Sequence, residues 1–190
     1  NPNYVFVTVN TNEINVSKFK INIKNGKKNV DSYTYELKQR NPNSANRNSF
    51  TSKDVFYLIM PDRFANGDYS NDSQNNLTEK VNRNLPNGRH GGDLRGIINN
   101  IDYIKNLGAT TIWLTPVNED NEKVYSYHGY AQTDLYKIDG RYGTNDEYRE
   151  LSRKLKQNDM KLVLDYVTNH WGISHWLIQD LPTQDWIHQF

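Results

Sequence analysis

"DLRGIINNIDYIKNLGATTIWLTP", residues 93–116, carries the clearest architectural signal in this chain. Leu94, Ile97, Ile98, Ile101, Ile104 and Leu107 recur at helical spacing on one face, and Gly108 marks where such a helix stops. An apolar strand, "TTIWLTP", follows after a short connection. The same grammar repeats on either side. Upstream, "DVFYLIM" (54–60) is a continuous apolar run of the kind a buried parallel strand needs. Downstream, "TNDEYRELSRKLKQN" places Thr144 and Glu147 at capping-box spacing above a stripe of Tyr148, Leu151 and Leu155, and "KLVLDYV" forms the next strand. Strand, helix, strand, helix, strand amounts to two right-handed crossovers, so an α/β parallel sheet is expected. The long polar loops all follow the carboxyl ends of strands, whereas "LGAT" and "QNDM" are short. A (β/α) barrel with its chemistry on the carboxyl face shows this asymmetry, and a doubly wound sheet obeys the same rule.

Residues 1–40 read differently. "YVFVTVN" and "KFKINIKNG" alternate in the period of a strand, and "YTYEL" follows a turn at "KNGKKN". Residues 41–53 are rich in Asn, Ser and Arg and read as a linker, leaving 54–190 for the α/β part. The 23 basic and 22 acidic residues nearly cancel, which indicates no nucleic-acid footprint. Cysteine is absent, so thiolate chemistry and disulfides are excluded, and a metal would be held by oxygen or imidazole. No run approaches the roughly 18 apolar residues of a membrane span. Aromatic residues make up 12 %, with 13 Tyr and 4 Trp, many in polar loops where sugar-binding surfaces also carry them.

Three loops carry candidate chemistry. In "MPDRFANGDYSNDSQNN", Asn66, Asp68, Asn71 and Asp72 offer four hard oxygen donors around Gly67, a set suited to calcium, and "GGD" at 91–93 adds a carbonyl and a carboxylate. The spacing does not fit an EF-hand, and a solvated Asx-rich turn has the same composition. "YSYHGYAQTDLYKIDGRYGT" offers flat rings beside the imidazole of His128. "LVLDYVTNHW" (162–171) ends a strand in Asp165, where a buried carboxylate needs a partner, with Asn169 and His170 close behind.

Taken together, "DRFANGDYSND", "GGDLRGI", "YHGYAQTDLYKIDGRYGT" and "LVLDYVTNH" resemble the α-amylase superfamily, family 13 of the glycoside hydrolases, over residues 54–190. The first-loop motif with "GGDL" resembles the neopullulanase and cyclomaltodextrinase branch, in which an N-terminal β-sandwich precedes the barrel. The resemblance implies an incomplete TIM (β/α)8 barrel, about three of eight units, preceded by the last strands of that sandwich. It implies that Tyr130 stacks on a glucose ring beside His128, that His170 bonds its 6-hydroxyl, and that Asp165 steadies the catalytic groups without being the nucleophile. It implies calcium on Asn66, Asp68, Asn71, Asp72, Gly91 and Asp93, whereas a second calcium at Asn169 is not assigned.

The family's reaction is retaining hydrolysis of α-glucosidic bonds by two carboxyl groups about 5 to 5.5 Å apart. These come from later strands than the three present, so no nucleophile or general acid is assigned here. The expectation is a piece of a longer hydrolase of maltooligosaccharides, pullulan or cyclodextrins, inactive alone, exposing open sheet edges that promote homodimers or other association. A carbohydrate-binding module without acids, or a non-enzymatic amylase-like scaffold, stands as the alternative. A calcium loop and a polymeric substrate favour a periplasmic or extracellular setting, with a cytoplasmic one open.

Overall fold

The computed structural model describes residues 1–12, 14–15 and 17–188, in two compact units: residues 2–49 and the part from Phe50 onward. The first unit is an antiparallel hairpin of β1 (Ser17–Asn25) and β2 (Lys28–Leu37), with Phe19 opposite Tyr35 and Ile21 opposite Tyr33. Alternation puts these four on one face, where the Phe19 and Tyr35 rings lie 5.4 Å apart. The strand expected at "YVFVTVN" does not form. A strand needs a ladder partner for its backbone, and this segment finds none among the described residues. Val7 and Val9 instead line an apolar groove with Phe19, Ile21, Tyr35 and Leu37.

The second unit is built on three parallel strands in the order β3 (Phe56–Ile59), β4 (Thr111–Leu114), β7 (Lys161–Leu164). The short helices α1 (Pro61–Phe64), α2 (Leu94–Asn99) and α3 (Ile101–Asn106) lie between the first two strands. Between β4 and β7 come a short antiparallel ribbon, β5 (Asn118–Glu119) with β6 (Asp134–Ile138), and then α4 (Asn145–Gln157). Beyond β7 stands α5 (Trp176–Gln179). None of the described helices is long and apolar enough to cross a membrane.

Burial follows the predicted faces. Leu94, Ile97, Ile104, Leu151 and Leu155 pack on Ile59, Ile112 and Leu114, with Tyr57 and Leu162 against them. The capping box on α4 is present: Thr144 Oγ1 accepts from Glu147 N at 3.1 Å, and Glu147 Oε2 accepts from Thr144 N at 3.0 Å. The single helix expected over 94–107 is instead broken at Asn100, whose side-chain amide donates to Gly96 O at 2.7 Å and so competes with the helical ladder. Leu107, past the last turn, is 55 % exposed.

Only one face of the sheet is covered among the described residues. In register across the other face lie Leu58, Trp113 and Val163, and Leu58 is 56 % exposed. β7, expected to be buried, is an edge strand here and only half-buried. Asp165 follows Val163 by two residues and so shares the face of Trp113.

Candidate functional site

Asp165 emerges at the carboxyl end of β7, where its Oδ2 accepts two hydrogen bonds: from the Tyr130 hydroxyl at 2.8 Å and from Trp113 Nε1 at 3.1 Å. Burial, with the Asp165 carboxylate beside it, holds the Tyr130 phenol above its ordinary pKa, so it remains a donor. His170 reaches the same residue from the far side, its Nε2 donating to Tyr130 O at 3.0 Å. His128 lies under the Tyr130 ring with centroids 5.8 Å apart, and its Nδ1 accepts from Tyr130 N at 2.9 Å. Burial lowers the His128 pKa, consistent with a neutral ring whose Nε2 carries the proton.

Four side chains singled out in the sequence therefore meet in one place, with Tyr130 and Trp113 part-exposed at its mouth. Both His170 nitrogens are engaged by protein, the second accepting from Asn169 Nδ2 at 3.3 Å, so a sugar hydroxyl has to share or replace one of these contacts. The neighbouring Trp171 stacks on His175 with ring centroids 4.4 Å apart.

The loop presenting Tyr130 is held tightly. Gly129 adopts φ 78°, and a Cβ there would stand 2.0 Å from Pro116 O, so only glycine fits. Ser126 is anchored by Glu79, which accepts from its amide at 2.8 Å and its hydroxyl at 2.6 Å, and by Arg89, whose Nη1 donates to Ser126 O at 3.1 Å. Beneath lies a buried ion network that the sequence reading missed. Arg141 grips Asp139 through Nε at 2.9 Å and Nη2 at 2.7 Å, and Arg89 lies 3.8 Å from Asp62 and 4.0 Å from Asp139. Burial opposes ionisation of Asp139, yet Arg141 and Arg89 hold its carboxyl below the ordinary value. Asp62 binds back to the first loop, accepting from His90 N at 2.9 Å and from Gly91 N at 3.2 Å.

The candidate cation residues separate by what they already hold. Asn66 Nδ2 donates to Asp72 Oδ1 at 2.6 Å, and Gly91 sits so close that a Cβ would fall 2.7 Å from the same oxygen. Asn71 Nδ2 donates to Asp93 Oδ2 at 3.3 Å. Asp93 also caps α2 through Gly96 N at 2.6 Å and accepts from Gly67 N at 3.0 Å and Asp68 N at 2.8 Å. Asp68 turns to Ser70, whose hydroxyl hydrogen bond lowers its pKa, whereas burial raises that of Asp72. Among the described residues no three carboxylate or imidazole side chains form a metal-binding group by themselves. The fit rests instead on amide oxygens. Asn66 Oδ1 and Asn71 Oδ1 are buried without a hydrogen-bond partner, the state expected of hard ligands facing a cation.

The catalytic-domain model of α-amylase matches residues 58–188. The chain belongs to the α-amylase family. The model of the cyclomaltodextrinase N-terminal region matches residues 1–41. A β/α-amylase of Paenibacillus polymyxa is 46 % identical over 132 residues, 70 % of this chain and 11 % of that protein. A cyclomaltodextrinase of Thermoanaerobacter pseudethanolicus is 40 % identical over 132 residues, 70 % of this chain and 22 % of that protein. The solved structure of an Anoxybacillus α-amylase superposes with a TM-score of 0.65 at 41 % identity, covering 72 % of this chain and 28 % of that one. This α-amylase family chain thus spans well under a third of each of these relatives. The partial barrel implied by the resemblance is consistent with that coverage.

Trp113, whose indole donates to Asp165, is the member of this cluster that the sequence reading passed over. Its parallel register opposite Val163, which the sequence alone does not display, places it on the Asp165 side of the sheet.

Proposed function

We propose that the whole protein is a retaining hydrolase of α-1,4-glucosidic bonds in maltooligosaccharides, pullulan or cyclodextrins, and that this chain supplies one wall of its glucose subsite. The observation that carries the reading is the convergence of Tyr130 and Trp113 on the Asp165 carboxylate, with His170 bonded to the Tyr130 carbonyl. A part-exposed ring beside an imidazole and a carboxylate suits a hexose, which offers an apolar face for stacking and a rim of hydroxyls for hydrogen bonds. Tyr130 stacks, His128 and His170 bond hydroxyls, and Asp165 fixes the wall. The nucleophile and the general acid come from outside residues 1–190.

Calcium is the proposed structural ion, on Asn66, Asp68, Asn71, Asp72, Gly91 and Asp93. It neutralises the first-loop acids and satisfies the two buried amide oxygens. A calcium-held loop and a polymeric substrate favour a periplasmic or extracellular setting. The uncovered sheet face and the open edges of β3 and β7 favour self-association of the 190-residue chain alone, checked by sedimentation. The function is tested by reducing-sugar release from pullulan and maltotriose by the whole protein, with and without a chelator. Sugar binding without release favours the non-catalytic alternative.

A further inference from the structure

Asp120, directly after β5, is 1 % exposed and takes no part in the wall described above. Its Oδ2 accepts from Ala131 N at 3.1 Å and its Oδ1 from Glu122 N at 3.2 Å. Each bond leads to the subsite. Ala131 adjoins Tyr130, whose carbonyl and hydroxyl meet His170 and Asp165. Glu122 in turn accepts from Ser174 N at 2.9 Å, and Gly172 N donates to Gln132 O at 2.8 Å. Asp120 thus fastens the backbone directly beside Tyr130 and reaches the segment after His170 through Glu122.

The charges facing Asp120 offer it no cation of its own. Asp139 accepts from Asp120 N at 3.1 Å, and Arg141, already engaged with Asp139, donates to Asp120 O at 2.6 Å and not to its carboxylate. Arg89 lies behind Asp139, and Glu122 adds negative charge from the same loop. Burial therefore pushes the Asp120 carboxyl up to about 7, with Asp139 adding to the effect. A carboxylate accepts both amides. Once protonated, its hydroxyl oxygen faces an N–H donor with a hydrogen of its own, and one of the two bonds is lost.

We propose that Asp120 is a positioning residue for the sugar subsite, clasping the Tyr130–His170 wall when ionised and loosening it when protonated. The proposal rests on reading Tyr130 and His170 as the substrate wall.

The test follows the whole protein between pH 5.5 and 8.5 by the 1H–15N signal of the Ala131 amide and by steady-state kinetics on maltotriose. The Ala131 signal titrates with a midpoint of about 7. KM falls about tenfold as pH rises through that midpoint, as expected for one regained hydrogen bond to a charged group, while kcat changes less. Asp120→Asn keeps a high, pH-independent KM and abolishes the Ala131 titration. A flat Ala131 signal in the native protein, or an unaltered KM profile in Asp120→Asn, overturns the proposal. If maltotriose is not hydrolysed, the hydrolase reading fails, and the Ala131 titration still decides the clasp. If Asp120→Asn does not fold, the native titrations of Ala131 and KM decide it alone.

Discussion

The Tyr130 hydroxyl and the Asp165 carboxylate, 35 residues apart in sequence, are joined by a 2.8 Å hydrogen bond at the mouth of the parallel sheet. Tyr130→Phe keeps the stacking face and loses this bond, leaving Trp113 as the remaining donor to Asp165 among the contacts described. The expected result in the whole protein is a KM for maltotriose raised by up to about a hundredfold, since a hydrogen bond to a charged group contributes about 1.5–3 kcal/mol and each 1.4 kcal/mol is tenfold. Tyr130→Ala also loses the ring and raises KM further. A Tyr130→Ala protein with native KM would mean that no sugar stacks there.

Gly129→Ala forces a Cβ against Pro116 O in a left-handed turn. Destabilisation of about 1–3 kcal/mol is expected, together with loss of sugar binding because Tyr130 moves with the turn. Gly140→Ala is the control: its nearest neighbour is the flexible Gln74 Cγ at 3.3 Å, so melting temperature should change little. Thermal melts of both variants, paired with binding of a maltooligosaccharide, separate the two cases.

What the sequence disclosed follows from how far each signal reaches along the chain. The helical stripe of Leu94, Ile97 and Ile104 and the Thr144–Glu147 box are local patterns, and both are present. Tyr130, Asp165 and His170 were legible because each sits at the end of a strand or in a loop that parallel topology sends to the same side of the sheet. The break at Asn100 escaped because a side-chain amide competing with the ladder leaves the apolar spacing intact. The segment at residues 4–10 has strand periodicity, yet periodicity does not supply a partner strand. The network of Arg89, Asp62 and Asp139 was hidden because its members lie in separate segments, and sequence spacing alone does not pair distant charges.

Calcium should stabilise the native state by mass action, by about 2.7 kcal/mol when free calcium is a hundredfold above Kd. Chelation is therefore expected to lower the melting temperature of the whole protein. Asn71→Ala, which removes one of the two orphaned amide oxygens, should shrink the difference between calcium and chelator. Equal melting temperatures in the native protein with calcium and with chelator would exclude the ion from this loop.

Asp54 bonds the Lys161 ammonium at 2.6 Å and accepts from Thr51 N at 2.6 Å, and these bonds lower its carboxyl pKa to about 2. Because the folded pKa lies below the unfolded value, this acid stabilises the fold above about pH 4, and the contribution is lost as pH falls from there towards 2. Asp54→Asn should therefore melt below the native protein at pH 6 and converge with it near pH 2. A constant gap between the two across that range would show that the Lys161 pair is not responsible.

The most direct test of the subsite is a crystal structure of the whole protein with a bound maltooligosaccharide analogue such as acarbose. The expected result is a hexose ring stacked on Tyr130, with a hydroxyl in hydrogen-bond reach of the His170 imidazole and Asp165 still bonded to the Tyr130 hydroxyl. A sugar bound elsewhere, with the faces of Tyr130 and Trp113 left bare, would contradict the assignment.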